Sequence, residues 1–116
     1  MSTASGGTPG PRLDDQLVAV DNNVYGFMHN VSDLESLARA FARSRWRVRR
    51  SALDEYEVEC SWCQVNLFDS GGMPKFAGVV EPASADKLAD TFRSLDVDYE
   101  IELYDVDGEL VRTILP

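Results

Sequence analysis

The sequence is poor in the residues that most often carry catalysis. It has one histidine, His29, and two cysteines among 116 residues. It contains no glycine-rich phosphate loop and no nucleophile-elbow pattern, so nothing in it favours an NTPase or a hydrolase. No apolar run approaches the roughly 18 to 20 residues that a membrane-spanning helix needs. We therefore expect a protein that is not an enzyme, has no catalytic residues and has no membrane partner.

The two cysteines, Cys60 and Cys63, have the C-x-x-C spacing of redox and zinc sites. A redox pair lies at the start of a helix, whereas this pair lies within a β pattern beside Glu57 and Glu59, which raise a thiol pKa. Zinc needs two further ligands, and His29 is the only imidazole. We expect two buried apolar cysteines and no metal or cofactor; a thiol switch and half of a metal site are the alternatives.

Residues 1–10 are small and rich in glycine and proline, without the basic and apolar regions of a signal or transit peptide. The sequence therefore predicts a disordered tail over 1–16 and a single domain over 17–116. The expected location is the cytoplasm, where both thiols stay reduced.

Charge of one sign is scarce: 11 basic residues stand against 20 acidic ones, for a net charge of −9. With a sequence pI near 4.4, the chain is a poor partner for a long nucleic acid, whose phosphates attract basic surfaces. The balance favours a basic protein partner instead.

Two apolar stripes at three- and four-residue spacing predict helices over 32–44 and 84–95. Ser32 followed by Glu35 has the spacing of a capping box, and Ser84 is the predicted cap of the second helix. Alternating apolar segments predict strands at 17–20, 24–28, 46–50, 56–60, 76–80, 97–104 and 109–115. The apolar face changes phase at Ser61 and Trp62, which predicts a β-bulge. Asp107-Gly108 predicts a hairpin.

Both halves of the chain read strand, helix, strand, strand, and their helices align at an offset of 51 residues. The match indicates either a duplicated unit or a common helix pattern that recurs by chance. In either case the order predicts an α+β fold, a ferredoxin-like two-layer sandwich with both helices on one face of an antiparallel sheet. The other sheet face must then be polar or covered by a partner.

The charges are segregated along the chain, since 39–50 holds six arginines and no acid while 96–109 holds seven acids and no base. Three interpretations are open. The charges form ordinary solvated faces, or the acidic strand and hairpin dock a basic partner, or arginines on one strand bind an anion. The candidate partner-binding residues are Asp98, Glu100, Glu102, Tyr104, Asp105, Asp107 and Glu109, and the candidate anion-binding residues are Arg45, Arg47 and Arg49.

The favoured function is a small acidic protein-binding module, an inhibitor or immunity-type protein, with Tyr99 or Tyr104 as the anchor. The alternative is a ligand-sensing regulatory domain that dimerises through its open sheet face. His29, just before the first helix, is expected to be a structural loop histidine rather than a general base, because no nucleophile with a recognised context accompanies it.

Overall fold

The computed structural model describes residues 8–116 and shows an α+β fold with one seven-stranded sheet. No helix among the described residues is long and apolar enough to cross a membrane. The helices are α1 (Asp15–Val18), α2 (Leu34–Arg43) and α3 (Ala85–Ser94), with a 3₁₀ turn at Pro82–Ser84. The strands are β1 (Val24–Met28), β2 (Arg47–Ala52), β3 (Glu55–Cys60), β4 (Cys63–Ser70), β5 (Met73–Val80), β6 (Tyr99–Tyr104) and β7 (Leu110–Ile114).

All neighbouring strands are antiparallel, in the order β2-β3-β4-β5-β1-β6-β7. This sheet is larger than that of a simple ferredoxin-like fold. The connection through α3 passes over β1 alone, whereas the connection through α2 passes over β5, β4 and β3. The two halves of the chain therefore differ in topology, and the order of the strands gives no support to the duplicated unit.

One face of the sheet, here the inward face, packs with α2 and α3 in a single hydrophobic core. Aromatic rings connect the helices with the sheet: Phe41 of α2 and Phe92 of α3 lie 6.1 Å apart between centroids, and Phe92 lies 5.0 Å from Phe76 of β5. Gly26 of β1 belongs to this face, because a methyl group at that position would overlap the Phe76 ring. Residues of opposite parity therefore point to the other face, here the outward face.

Helix α2 begins one residue later than the predicted cap. Asp33, not Ser32, is the N-cap, and its carboxylate accepts from the backbone N–H of Glu35 at 3.1 Å and from the Ser36 hydroxyl at 2.7 Å. The Ser36 hydrogen bond is the largest cause of a lowered Asp33 pKa. The predicted capping box is thus wrong, since Asp competes with Ser for the same role. Ser84 also makes no capping bond, and its hydroxyl donates to Glu81 at 2.5 Å.

The predicted β-bulge at Ser61 and Trp62 is a two-residue turn between β3 and β4, in which Cys60 lies opposite Cys63. The phase changes because one strand ends and the next begins. The hairpin predicted at Asp107-Gly108 is confirmed as the turn between β6 and β7. Gly71 and Gly72 join β4 to β5 with φ of 63° and 86°, the positive values that a two-residue hairpin favours.

An N-terminal strap, residues 8–18, crosses from the outer edge of β2 onto the outward face. Thr8 is hydrogen-bonded to Val48 of β2, and the N–H of Leu13 donates to the Glu59 carboxylate at 2.6 Å. Leu13 is buried. The predicted strand at 17–20 is wrong, because α1 and a turn occupy that stretch. Of the predicted tail, 1–7 lies outside the described residues and 8–16 makes these contacts.

Candidate functional site

The outward face of the sheet has two regions that differ in what lies on them. The strap region, on β2, β3 and β4, is formed by Arg47, Arg49, Glu57, Glu59 and Gln64, which line a common cavity with the N-terminal strap. The open surface, on β4, β5, β1 and β6, is formed by Tyr25, Phe27, Phe68, Lys75, Glu100, Glu102 and Tyr104.

The strap region satisfies its own charges. Arg49 donates to the Glu57 carboxylate at 3.1 Å across β2 and β3, and Glu59 accepts from the backbone of Leu13. Arg47 lies opposite Glu59 in the strand register. Each strand charge therefore lies beside an opposite charge or a backbone donor, so little net field is left for a partner.

The open surface contains a concave pocket of about 490 Å³ whose walls are mainly aromatic. Tyr25 and Phe27 of β1 point into it beside Phe68 of β4 and Tyr104 of β6. Tyr25 is 39% exposed and lies edge-on to Tyr104, with 5.4 Å between ring centroids. Exposed aromatic rings around a hollow are typical of a binding surface.

Glu102 of β6 lines this pocket, and Glu100 lies beside it, two residues earlier on the same face of the strand. Glu100 lies opposite Phe27 and Glu102 lies opposite Tyr25 in the register of β1 and β6. Both carboxylates point outward because their neighbours on the strand, such as Ile101, are in the core. Asp98 has the same parity and is exposed just before β6. The acidic strand expected from the sequence thus borders the aromatic pocket.

The hairpin between β6 and β7 carries the remaining candidate acids. The Asp105 carboxylate accepts from the backbone N–H groups of Asp107 and Glu109 at 2.9 and 3.0 Å, which holds the turn in shape. The side chains of Asp107 and Glu109 are exposed. Gly108 of the turn lines the pocket, so the hairpin acids lie close to the open surface. Asp105 has a structural role in addition to its charge.

The two candidate anchors are in different places. Tyr104 points outward, and its hydroxyl donates to the Glu102 carboxylate at 3.0 Å, which raises the Tyr104 pKa. Tyr99 is 1% exposed in the core, where its hydroxyl accepts from Arg93 at 3.1 Å. Tyr99 is therefore wrong as an anchor, because odd positions of β6 point inward.

His29 lies in the turn after β1, at the edge of the open surface. Its Nε2 contacts the Glu100 carboxylate, and its ring stacks with Phe27 at 6.2 Å. The backbone N–H of His29 donates to the backbone carbonyl of Asp98 at 2.8 Å. No serine, threonine or cysteine accompanies His29 in these contacts. The surroundings are those of a loop histidine that orients Glu100.

The two cysteines face each other on the inward side of the β3–β4 hairpin. Burial raises the Cys60 pKa to about 11 and holds the Cys63 pKa well above its usual range. The two thiols are cross-strand neighbours on the same face of the sheet. Protonated, buried thiols are poor nucleophiles and poor metal ligands.

The candidate anion-binding arginines are not on one strand. β2 begins at Arg47, so Arg45 lies in the preceding turn with φ of 72°. Arg47 and Arg49 line the strap cavity together with Arg12 and the carboxylates of Glu57 and Glu59. The acids cancel much of the positive field there.

Sequence reasoning missed Tyr25, Phe27, Phe68 and Lys75. The signal for the first two was present, because 24–28 is apolar at nearly every position. In a central strand such a run indicates that both faces are apolar. Phe68 and Lys75 carry no local signal, since they join the pocket only through the pairing of β4 with β5.

Within residues 8–116 no group of three or more metal-ligating side chains converges. No protein-family model, curated protein or solved structure matches the chain.

Proposed function

We propose that this protein is a protein-binding module that docks a basic partner on its open surface and the adjoining 105–109 hairpin. The observation that carries the proposal is the aromatic pocket lined by Glu102, with Glu100 next to it on β6, on a part of the sheet face that the chain's own strap leaves uncovered. Aromatic rings that leave water on binding supply affinity, and a carboxylate rim selects the sign of the partner's charge.

The chemistry of the pocket suits an arginine or lysine side chain. A cation over an aromatic ring is stabilised by about 0.5 to 2 kcal/mol, and a nearby carboxylate adds a charged hydrogen bond. The chain's own Lys75 already lies over the Phe27 ring, with Nζ 5.3 Å from the centroid. The Tyr25 and Tyr104 rings, next to Glu102, are the corresponding place for a guanidinium from a partner.

The net charge of −9 adds long-range attraction for a basic partner. Such attraction raises the association rate and weakens as salt screens it over about 10 Å at 0.1 M. The arginines of β2 lie at the far edge of the sheet, with four strands between β2 and β6, a separation of about 24 Å at the usual strand spacing. They therefore oppose the approach of a basic partner only weakly.

The proposed role is that of a cytoplasmic inhibitor or immunity-type protein that occupies the basic active surface of its partner. The proposed architecture is two-layered, with α2 and α3 on the inward face and the partner on the outward face. The contact of Phe41 with Phe92 and their shared core with the sheet support this arrangement.

The test is affinity capture from the native host with three forms of the chain. They are the wild type, the double variant Glu100→Lys/Glu102→Lys on the open surface, and the matched double variant Glu35→Lys/Asp90→Lys on exposed helix positions. We expect a basic protein bound by the wild type and the helix variant, released by high salt, and absent from the open-surface variant. Equal capture by both double variants would contradict the proposal.

A second candidate function, a ligand-sensing regulatory domain, is favoured by the pocket volume of about 490 Å³, which is in the range of small-molecule sites. Its proposed dimerisation through the open sheet face would bring the acidic rims of two copies together. A small molecule that saturates the pocket in the absence of protein partners would favour this function over docking.

A further inference from the structure

The two edges of the sheet are protected differently. At the β2 edge, Thr8 occupies both backbone groups of Val48: its N–H donates to the Val48 carbonyl, and its hydroxyl accepts from the Val48 N–H, each at 2.8 Å. β2 also carries three arginines and has a register shift between Arg50 and Ala52. Covering, charge and irregular register are the features that keep an edge strand from pairing with another chain.

At the other edge, no segment in the described part of the chain covers the outer side of β7, although its pairing with β6 also has a register shift, at Val111. It is the last strand in the sheet order, and only β6 pairs with it. Its single charge, Arg112, is bound to Asp86 of α3 at 2.7 Å. Leu110, Val111 and Leu115 are 51%, 60% and 60% exposed. An exposed apolar edge with unpaired backbone groups is a template for strand addition.

We propose that the free edge of β7 pairs with β7 of a second copy of this chain, antiparallel, to form a continuous sheet across a twofold axis. The distribution of acidic residues along the chain favours this edge for self-association. Two copies with a net charge of −9 repel each other over most of their surfaces, but 110–116 contains no acidic residue.

The side chains select the register. A twofold axis at Thr113 places Arg112 opposite Ile114 of the second copy and brings Val111, which the β6–β7 register skips, near Leu115 of the second copy, just past the end of β7. An axis at Arg112 would instead place the two guanidinium groups directly opposite each other, which is unfavourable. The Thr113 register therefore brings the exposed apolar residues together and keeps the like charges apart.

The expected dimer is weak. A single pair of short strands buries less than the about 1,200 to 2,000 Å² of a stable interface. It therefore dissociates on dilution. The twofold axis is perpendicular to the sheet, so both open surfaces are on the same side of the dimer. The pairing itself does not depend on what the open surface binds.

Sedimentation equilibrium from micromolar to near-millimolar concentration tests the proposal. For the wild type we expect the mass to rise from the 12.9 kDa of one chain toward twice that value. Val111→Lys should stay monomeric throughout, because it places a charge against the second copy's apolar edge. Leu53→Lys is the matched control, since Leu53 is 82% exposed at the β2–β3 turn, and it should dimerise like the wild type.

Thr113→Lys provides a second, independent variant, because it places two ammonium groups directly opposite each other and its side chain is exposed in the monomer. Circular dichroism checks that each variant folds. A wild type that stays monomeric throughout overturns the proposal, as does a dimer that both Val111→Lys and Thr113→Lys leave intact. A dimer abolished by Phe27→Lys but not by Val111→Lys would place the contact on the open surface and also overturn it.

Discussion

The strap region and the open surface lie side by side on the same face of one sheet, but within the described residues only the strap region is covered by another segment of the chain. Residues 8–18 lie over the strap region. Leu13 is buried there, and Arg49 is paired with Glu57. No segment in the described part of the chain covers the open surface, although its Phe27 and Phe68 rings are as apolar as Leu13.

This difference shows that the apolar content of a sheet face does not by itself indicate a binding site. A one-face-covered sheet has to satisfy its second face somehow, and here the strap does so for half of that face. The rest of the face combines uncovered aromatic rings with the carboxylates of Glu100 and Glu102, and this combination identifies the candidate site. Substitutions in the strap region should therefore reduce stability, and substitutions on the open surface should reduce binding.

The largest expected effect on folding comes from Leu13→Ala. Because Leu13 is 6% exposed under the strap, its truncation should lower the free energy of unfolding by about 2 to 3 kcal/mol, the lower part of the range for buried leucines. Val18→Ala, on the same strap but at a position 66% exposed, should change it by less than about 0.5 kcal/mol. Urea denaturation measures both values. Equal effects would mean that the strap does not hold the sheet through Leu13.

A smaller effect is expected from the thiols at the end of the β3–β4 hairpin, next to the strap. Burial raises the Cys60 pKa from its usual 9.0 to about 11, so the folded state favours the protonated thiol. The resulting stability is complete below pH 9 and is lost as the pH rises toward 11. Urea midpoints measured across this window should fall for the wild type and fall less steeply for Cys60→Ala. Parallel pH profiles would contradict the burial of Cys60.

The smallest effect is a local one on the open surface. The hydrogen bond to Glu102 raises the Tyr104 pKa, so Glu102→Gln should bring this pKa back toward its usual value. The hydrogen bond therefore stabilises the fold at neutral pH and ceases to do so once the phenol ionises at high pH. NMR titration of the tyrosine rings measures the shift, with the control Glu57→Gln in the strap region leaving it unchanged. If Glu102→Gln does not lower the Tyr104 pKa, the hydrogen bond to Glu102 is not what raises it, and the prediction is contradicted.

Much of the fold could be predicted because it depends on local periodicity. The stripes of α2 and α3 repeat Leu, Ala and Phe at helical spacing, and their predicted bounds differ from the observed ones by one or two residues at each end. The turn at Ser61 and Trp62 escaped prediction because neither residue is the glycine or asparagine that usually marks a two-residue hairpin. The α1 turn was predicted as a strand because its four residues are too few to show a helical period.

The sheet order and half of the site could not be predicted in this way. The α2 connection passes over three strands that come later in the chain, and no local signal gives this. The acidic half of the site followed from the alternation of Glu100 and Glu102 with core residues. The aromatic half depends on which strands meet: Phe68 reaches Tyr25 and Tyr104 only because β4, β5, β1 and β6 are adjacent.

The most direct test of the central claim is a backbone-amide NMR titration with a short oligoarginine peptide at low salt. We expect saturable changes in the amide chemical shifts of Phe27, Glu100, Glu102 and the 105–109 hairpin. These changes should be absent in Glu100→Lys/Glu102→Lys and small at the helix acids Glu35, Asp86 and Asp90. Chemical-shift changes of equal size at the helix acids would show that the peptide responds only to the net charge of the chain. This result would contradict a docking site on the open surface.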